Sequence, residues 1–248
     1  MSSRANLRLC AVPRSSMHTE VSCDLCALDP MCSILEYGAN EEKIPEGVLL
    51  RCRPVSRGET IFRKDDPFRS VFAVKSGSFK TYVPKPDRGD QVVGFHLVGE
   101  LIGSEGLSGE LYPFTARALE ESSVCELRLN RLAESGYELE TIQKGIIQLL
   151  SSEVTFNHEL ISSLVHQSAD QRIAGFLLSL SQRLLRHGMQ QKSIRLSMSR
   201  SDIGSYLGLA SETVSRILTK LQKSGFIHLQ HKNLEILDAT ALAQLADI

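Results

Sequence analysis

Hydrophobic positions change their period along this chain of 248 residues. Between Leu49 and about Arg128 they form short runs rich in β-branched and aromatic residues, with glycines between the runs. Clear examples are Ser70–Val74, Phe79–Val83, Val92–Leu97 and Val124–Leu129. Short strands separated by glycine at this spacing predict an antiparallel β-sandwich or β-roll.

From about residue 139 to residue 167 the period becomes helical. An apolar stripe with alternating steps of three and four consists of Ile147, Leu150, Val154, Asn157, Ile161 and Leu164. This is the a/d spacing of a coiled-coil seam, which one helix cannot bury alone, so it predicts a homodimer. The alternative is that the stripe packs on the chain's own β-roll. Asn157 is its only polar member, and a lone Asn in such a seam fixes the register.

The C-terminal third has the pattern of a winged helix-turn-helix. An amphipathic helix is predicted over Asp170–Leu185, followed by two shorter helices, Ser199–Leu207 and Ala210–Lys223. A tight glycine-containing turn joins the two shorter helices, as in helix-turn-helix motifs. Ile227–Leu229 and Leu234–Leu237 then predict a hairpin wing.

Together these patterns predict an α+β fold: an antiparallel β-roll of the cupin-like jelly-roll type, a dimerisation helix and a winged helix-turn-helix. We expect a disordered tail (1–19), a cysteine-rich loop (20–38), the β-roll (39–135), the dimerisation helix (136–166), the DNA-binding domain (167–240, with its motif at about 200–219) and a C-terminal segment (241–248). No apolar run reaches the roughly 18 residues of a membrane span, and the tail lacks the apolar core of a secretory signal.

Charge is distributed unevenly over the chain. Residues 171–232 contain ten Lys and Arg but only two acids, a net charge of +8. The remainder carries 18 basic and 27 acidic residues, a net charge of −9. A basic region on an acidic body favours binding to double-stranded DNA, because phosphate contacts supply most non-specific affinity. The bland alternative is a solvated charged face.

The start of the second short helix carries residues suited to reading bases. Glu212 and Arg216 are four residues apart and project side by side, next to Ser211 and Ser215. In the major groove, Arg can bind guanine, Glu can accept from cytosine, and Ser can approach thymine. A surface ion pair without a DNA role is the structural alternative. Arg200 and Lys220, with Lys223, are better candidates for phosphate contacts, which position without specifying sequence.

Four cysteines suggest a metal centre. Cys23, Cys26 and Cys32 share one loop with C-x2-C and C-x5-C spacing, and Cys125 lies far downstream. Thiolates suit zinc or an iron–sulfur cluster. Three close ligands and one distant ligand favour iron–sulfur over zinc, which usually takes two close pairs; a redox or unligated set stays open. Six cysteines without a signal peptide indicate a reducing cytoplasm.

Catalysis has little support in the sequence. No Ser–His–Asp arrangement, P-loop or dinucleotide fingerprint is evident, and the seven histidines are scattered. Cys10 and Cys52 lack partners at ligand spacing, and we expect Cys52 to be a small buried side chain.

The chain resembles the fumarate–nitrate reductase regulator (FNR) branch of the cyclic-AMP receptor protein superfamily, from about Cys23 to its C-terminus. The matching stretches are Cys23-x2-Cys26-x5-Cys32, Gly94-Phe95-His96-Leu97, Gly99-Glu100-Leu101-Ile102-Gly103, Val124-Cys125-Glu126, Asp202-Ile203-Gly204-x-Tyr206-Leu207-Gly208-Leu209 and Glu212-Thr213-Val214-Ser215-Arg216.

The resemblance implies that Cys23, Cys26, Cys32 and Cys125 ligate a [4Fe–4S] cluster that favours a DNA-binding homodimer without oxygen and breaks down when oxygen arrives. It also implies base reading of TTGAT-type half-sites by Glu212, Ser215 and Arg216. Activation and repression of anaerobic metabolism through RNA polymerase would follow. The alternative with the same fold is a structural zinc and a different effector.

Two departures from the superfamily pattern matter. Glu110–Ala116 contains no Arg to hold a cyclic-nucleotide phosphate, so we expect no cyclic nucleotide as ligand. The seam places neutral Asn157 where family members carry an aspartate, which removes a repulsion across the dimer. We therefore expect the cluster-free chain to retain more dimer than aspartate-bearing relatives.

Overall fold

The alternating runs of the N-terminal half form two antiparallel sheets. A computed structural model describes residues 20–37, 47–86, 89–134, 146–147, 167–189 and 193–247. The strands of this half are β1 (Leu49–Val55), β2 (Thr60–Phe62), β3 (Ser70–Ser76), β4 (Phe79–Val83), β5 (Gln91–His96), β6 (Leu101–Ile102), β7 (Thr115–Ala118) and β8 (Ser122–Arg128). Their orders, β1-β8-β3-β6 and β2-β7-β4-β5, confirm the predicted antiparallel β-roll.

A cluster of large apolar side chains fills the roll. Phe62 and Tyr112 stack with ring centroids 3.8 Å apart, and Phe79, Ile102 and Val124 are fully buried beside them. Burying each side chain of this size contributes about 1.5–3 kcal/mol, so the roll has a core of its own.

The cysteine segment is helical, and the prediction of a loop was wrong. A 3₁₀ turn covers Cys23–Leu25, and α1 covers Asp29–Tyr37. Pro30 is the second residue of α1. Proline fits the first turn of a helix, where its missing N–H donor is not needed.

The C-terminal part has the predicted helices and wing. The described helices after α1 are α2 (Leu129–Glu134), α3 (Ala169–Arg186), α4 (Arg200–Leu207), α5 (Ser211–Lys223) and α6 (Ala239–Ala246). The wing strands β10 (Ile227–Gln230) and β11 (Asn233–Ile236) pair as a hairpin, and β9 (Ile194–Arg195) extends this sheet.

The predicted C-terminal segment is not separate from the DNA-binding domain. In α6, Leu242 and Ala246 are fully buried in the same apolar cluster as α3. The Gln167 side chain donates to the carbonyl of Ala246 at 2.9 Å. The boundary expected at 241 therefore cuts through a helix that completes the domain core.

The predicted dimerisation helix lies outside the described residues except for 146–147. Of its seam, only Ile147 is described, and its side chain is exposed. The homodimer seam stays a prediction. Within the described ranges, no helix has the length and apolar character needed to cross a membrane.

Candidate functional site

The structure brings the four predicted cysteine ligands together. Cys26 and Cys32 pack on the apolar cluster that contains the buried Cys125 of β8. The 3₁₀ turn places Cys23 beside Cys26, whose N–H donates to the Cys23 carbonyl at 3.1 Å. The pKa of Cys26, of Cys32 and of Cys125 each responds to the charge of other cysteines in the set, and together these effects involve all four thiols. The four thiols therefore lie near one another. All four are free thiols.

Burial dominates the electrostatics of these thiols. It raises the pKa of Cys26 and of Cys32 to about 12, and it also raises the pKa of Cys125. The cations of Arg51 and Lys75 partly oppose this effect. Burial therefore favours neutral thiols, and a cationic centre is what would convert them to thiolates.

The donor set is soft and rich in sulfur. Arg51 donates to the sulfur of Cys23 at 3.6 Å. Among the described residues, no three His, Cys, Asp or Glu side chains form a group that could hold a single metal ion. Cys52 is half-buried and disulfide-bonded, so the expectation of a simple buried side chain was wrong.

The helix-turn-helix depends on a close backbone approach. Gly208 ends α4 with a φ of +67°, and the N–H of Leu209 donates to the carbonyl of Gly204 at 2.8 Å. A Cβ on Gly204 would lie 2.5 Å from the carbonyl oxygen of Leu209. Both glycines are therefore required for the tight turn that sets α5 against α4.

One face of α5 is buried and the other is exposed. Val214, Ile217, Leu218 and Leu221 are buried in the domain core. The predicted base-reading side chains, Glu212, Ser215 and Arg216, are all exposed, and Ser211 is half-buried. This opposition follows directly from helical periodicity. It leaves the predicted base-reading side chains accessible from outside the domain.

Local bonds prepare this face. The Ser215 hydroxyl donates to the carbonyl of Ser211 at 3.0 Å, and Thr219 bonds in the same way to Ser215. The ion pairs found among the described residues do not join Glu212 to Arg216, so the surface-pair alternative gains no support.

The predicted phosphate contacts differ in their availability. Arg200 begins α4 and is half-buried, and burial lowers the pKa of its guanidinium. Lys220 is exposed but forms an ion pair with Asp170 at 2.6 Å. Together with Arg216 and Lys223 it lines an open groove along α5. Of the three predicted phosphate contacts, Lys220 and Lys223 are exposed and Arg200 is the least accessible.

A cavity of about 500 Å³ lies between the β-roll and α3. Glu100, from the glycine-rich turn, faces it and accepts from Arg183 of α3 at 2.7 Å. Burial alone would raise the pKa of Glu100, but the charge and hydrogen bonds of Arg183 outweigh it and hold this pKa below its usual value. The chain thus supplies its own cation to this turn.

Sequence reasoning missed a junction between the β-roll and the DNA-binding domain, in which a buried lysine meets two partly buried carboxylates. Lys80 of β4 binds Asp202 of α4 at 2.7 Å and Asp90 at 3.2 Å. The hydroxyl of Ser205 donates to the Asp90 carbonyl at 3.0 Å and accepts from Val92 N–H at 2.9 Å. Burial would raise the pKa of Asp202, but hydrogen bonds from Lys80 and from the helix cap lower it overall.

An aromatic cluster accompanies this junction. The rings of Phe95, Phe176 and Tyr206 lie 5.0–5.9 Å apart between centroids. The partners come from positions about 30 to 110 residues apart, so no short sequence pattern pointed to them. The junction fixes α4, and therefore the adjoining reading helix, relative to the roll.

Comparisons with known proteins agree with this geometry. The cyclic nucleotide-binding domain family matches residues 52–135, and the Crp-like helix-turn-helix domain family matches residues 171–245. The chain is 40% identical over 227 residues to the transcriptional activator protein Anr of Pseudomonas aeruginosa, covering 92% of this chain and 93% of that protein. It is 33% identical over 228 residues to the fumarate and nitrate reduction regulatory protein of Escherichia coli, covering 91% and 90%.

A solved structure supports the fold independently. FixK2 from Bradyrhizobium japonicum matches with a TM-score of 0.69 and 29% identity, covering 79% of this chain and 98% of that one. The similarity therefore extends over both the β-roll and the helix-turn-helix.

Proposed function

We propose that this protein responds to oxygen through a [4Fe–4S] cluster. The chain belongs to the FNR branch of the cyclic-AMP receptor protein superfamily, and it is a DNA-binding transcription regulator rather than an enzyme. The observation that carries this proposal is that four free thiols lie close together, three from the cysteine segment and one from β8 of the β-roll. Cys23, Cys26, Cys32 and Cys125 would hold the cluster, which supplies the oxygen-sensitive chemistry.

The donor chemistry favours iron and sulfide over zinc. Structural zinc usually takes its ligands as two close pairs, whereas three of these cysteines are close in the sequence and Cys125 is distant. Three close sulfurs and one distant sulfur suit a polynuclear cluster. Arg51 and Lys75 would offset the negative charge of four thiolates.

The chain's own residues then convert a chemical signal into DNA binding. We place the control in a monomer–dimer equilibrium, because only a dimer presents two reading helices to half-sites about one DNA turn apart. In each protomer Glu212, Ser215 and Arg216 would read a TTGAT-type half-site, and Ser211, Arg200 and Lys220 would support that contact. Cluster and DNA should each raise the affinity for the other.

Several finer features belong to the same proposal. The regulator would act in the cytoplasm on genes of anaerobic metabolism, activating some and repressing others through RNA polymerase. No cyclic nucleotide is needed, because Glu100 is engaged by Arg183 and Glu110–Ala116 offers no arginine to a phosphate.

Oxygen-free purification tests the proposal. We expect a brown protein with broad visible absorbance, containing iron and acid-labile sulfide, that shifts a palindromic TTGAT duplex. Air should bleach the colour and weaken the shift. A colourless zinc protein with an unchanged shift in air would overturn the proposal and favour the structural-zinc alternative.

A further inference from the structure

The cysteine segment is in contact with the DNA-binding domain of its own protomer. The carbonyl of Leu25, between Cys23 and Cys26, accepts a hydrogen bond from Nδ1 of His187 at 2.6 Å. The Leu25 side chain lies against Gly188, where an added Cβ would come within 2.5 Å of its Cδ1. His187 and Gly188 directly follow α3, the helix that opens the DNA-binding domain.

The glycine-rich turn closes the same contact from a third side. The N–H of Ala27 donates to the carbonyl of Gly99 at 2.8 Å. The His187 ring occupies the space beside Gly99, so that a Cβ there would overlap with the ring. The next residue, Glu100, binds Arg183 one turn earlier in α3. Cysteine segment, turn and helix end are therefore packed too closely for any one to move alone.

We propose that His187 and Gly188 are positioning residues through which the cysteine segment holds the DNA-binding domain of the same protomer. This route is additional to dimerisation, because the contacts described above join the cysteine segment directly to the glycine-rich turn and to the end of α3. It rests on the proposed function for its physiological input, since the segment carries three of the four proposed ligands. The contact itself is formed by the chain alone.

The energetic argument concerns preorganisation. A bound centre can shift the placement of a domain only through a contact that differs between the loaded and empty states. Ligation of Cys23 and Cys26 fixes the turn between them, including the Leu25 carbonyl. A fixed turn holds the end of α3, and this restricts the orientations of α5 before DNA arrives. If the orientations of α5 are already restricted, less conformational entropy is lost when it binds DNA, so its affinity for DNA is higher.

Four variants test this coupling in the full-length chain. His187→Ala removes the donor, whereas His187→Asn retains a side-chain N–H and should rescue. Gly188→Ala introduces the clash with Leu25 and also strains a residue with a φ of +74°. Gly89→Ala is the matched control, because Gly89 has the same φ of +74° but no atom within 4 Å of an added Cβ.

The first measurement needs no cluster. In the cluster-free chain, hydrogen–deuterium exchange at the Ala27 amide and around Leu184–Met189 should quicken together in His187→Ala and Gly188→Ala. It should stay at the wild-type rate in His187→Asn and Gly89→Ala. Unchanged exchange at Ala27 in both disrupting variants would overturn the coupling.

The second measurement uses oxygen-free, cluster-loaded protein. Iron and sulfide content and the dimer dissociation constant by sedimentation should match the wild type, while DNA affinity in the two disrupting variants falls about 2- to 10-fold, as for loss of one hydrogen bond. Wild-type DNA affinity, or a loss fully explained by a weaker dimer, would overturn the proposal. A wild-type chain that assembles no cluster would instead refute the proposed function, and the exchange measurement would still decide the contact.

Discussion

The two functional ends of the molecule differ in how complete they are. Helix α5 has its apolar face buried and the side chains proposed to read bases exposed, and the turn before it is formed by the chain alone. At the cysteine end, burial raises the pKa of Cys26, Cys32 and Cys125, and Arg51 and Lys75 oppose this only in part. The proposed reading helix is therefore complete in the chain, whereas the proposed sensor would need a bound centre to hold its thiols as thiolates.

This difference indicates where regulation must act. Because α5 is already formed, we expect regulation to change two other quantities. These are the number of protomers that bind DNA together and the orientation of α5 in each protomer. The junction around Lys80 and the contact at His187 both affect the orientation of α5. The predicted seam affects the number of protomers that bind together. The following experiments separate these contributions.

The largest effect is expected at the sensor. Replacing Cys23, Cys26, Cys32 or Cys125 by Ala should abolish cluster retention, because each removes one of four ligands. Iron and sulfide analysis of oxygen-free protein measures this, with Cys10→Ala and Cys52→Ala as controls. A Cys125→Ala protein that keeps its full iron content would remove Cys125 from the ligand set.

The next effect is expected at the junction. Lys80→Met leaves Asp90 and Asp202 without their buried cation, which should cost about 3 kcal/mol of unfolding free energy. Lys64→Met is the control, because Lys64 forms a pair of the same 2.7 Å length with an exposed Asp65. Exposed pairs contribute only about 0–1 kcal/mol. Equal losses in denaturant titrations would mean that the junction does not stabilise the assembly of the two domains.

A smaller effect is expected at the reader. Arg216→Ala should weaken binding by about 1–3 kcal/mol and relax discrimination at one base pair, because a bidentate guanine contact is lost. Lys220→Ala should weaken binding to all sequences alike. Titrating each variant with duplexes that carry single base changes distinguishes a base contact from a phosphate contact. A uniform loss for Arg216→Ala would assign this side chain to phosphate alone.

The smallest effect concerns pH. His96 is half-buried, its Nδ1 donates to the carbonyl of Leu101 at 2.7 Å, and desolvation lowers its pKa, with Glu105 and Glu100 opposing this only in part. The folded pKa lies below the ordinary 6.5, so the unfolded chain binds more protons in that window and stability falls as pH drops below about 6.5.

The slope from His96 should reach at most about 1.4 kcal/mol per pH unit. His96→Asn keeps a donor but cannot titrate. The difference in unfolding free energy between wild type and this variant, measured from pH 7 to pH 5, should therefore shrink. A constant difference would contradict the lowered pKa.

Local patterns in the sequence predicted most of the elements. β4 is Phe79–Val83, as expected, and the two helices of the reading motif begin within one residue of their predicted starts. Buried positions recur with a period of 2 in strands and of 3.6 in helices, and this pattern determines these elements. A short stretch of sequence is therefore enough to predict them. The loop predicted over 20–38 missed helix α1, although its Pro30 is compatible with the first turn of a helix.

The candidate site was predictable only in part. The spacing of the cysteines predicted a set of thiols that do lie together in the structure. Ligation by thiolates requires cysteine, so the residue type itself marks the candidate positions in the sequence. The pairs Lys80–Asp202 and Glu100–Arg183 were not predictable, since their partners are separated by 122 and 83 residues. Such pairs depend on how two folded domains meet.

The internal guanidinium of Arg183 also has a consequence for the turn that it binds. Because the Arg183 side chain is buried and donates to Glu100, α3 itself supplies the contact that holds the glycine-rich turn. The β-roll and the DNA-binding domain are therefore tied together at this point by the chain alone.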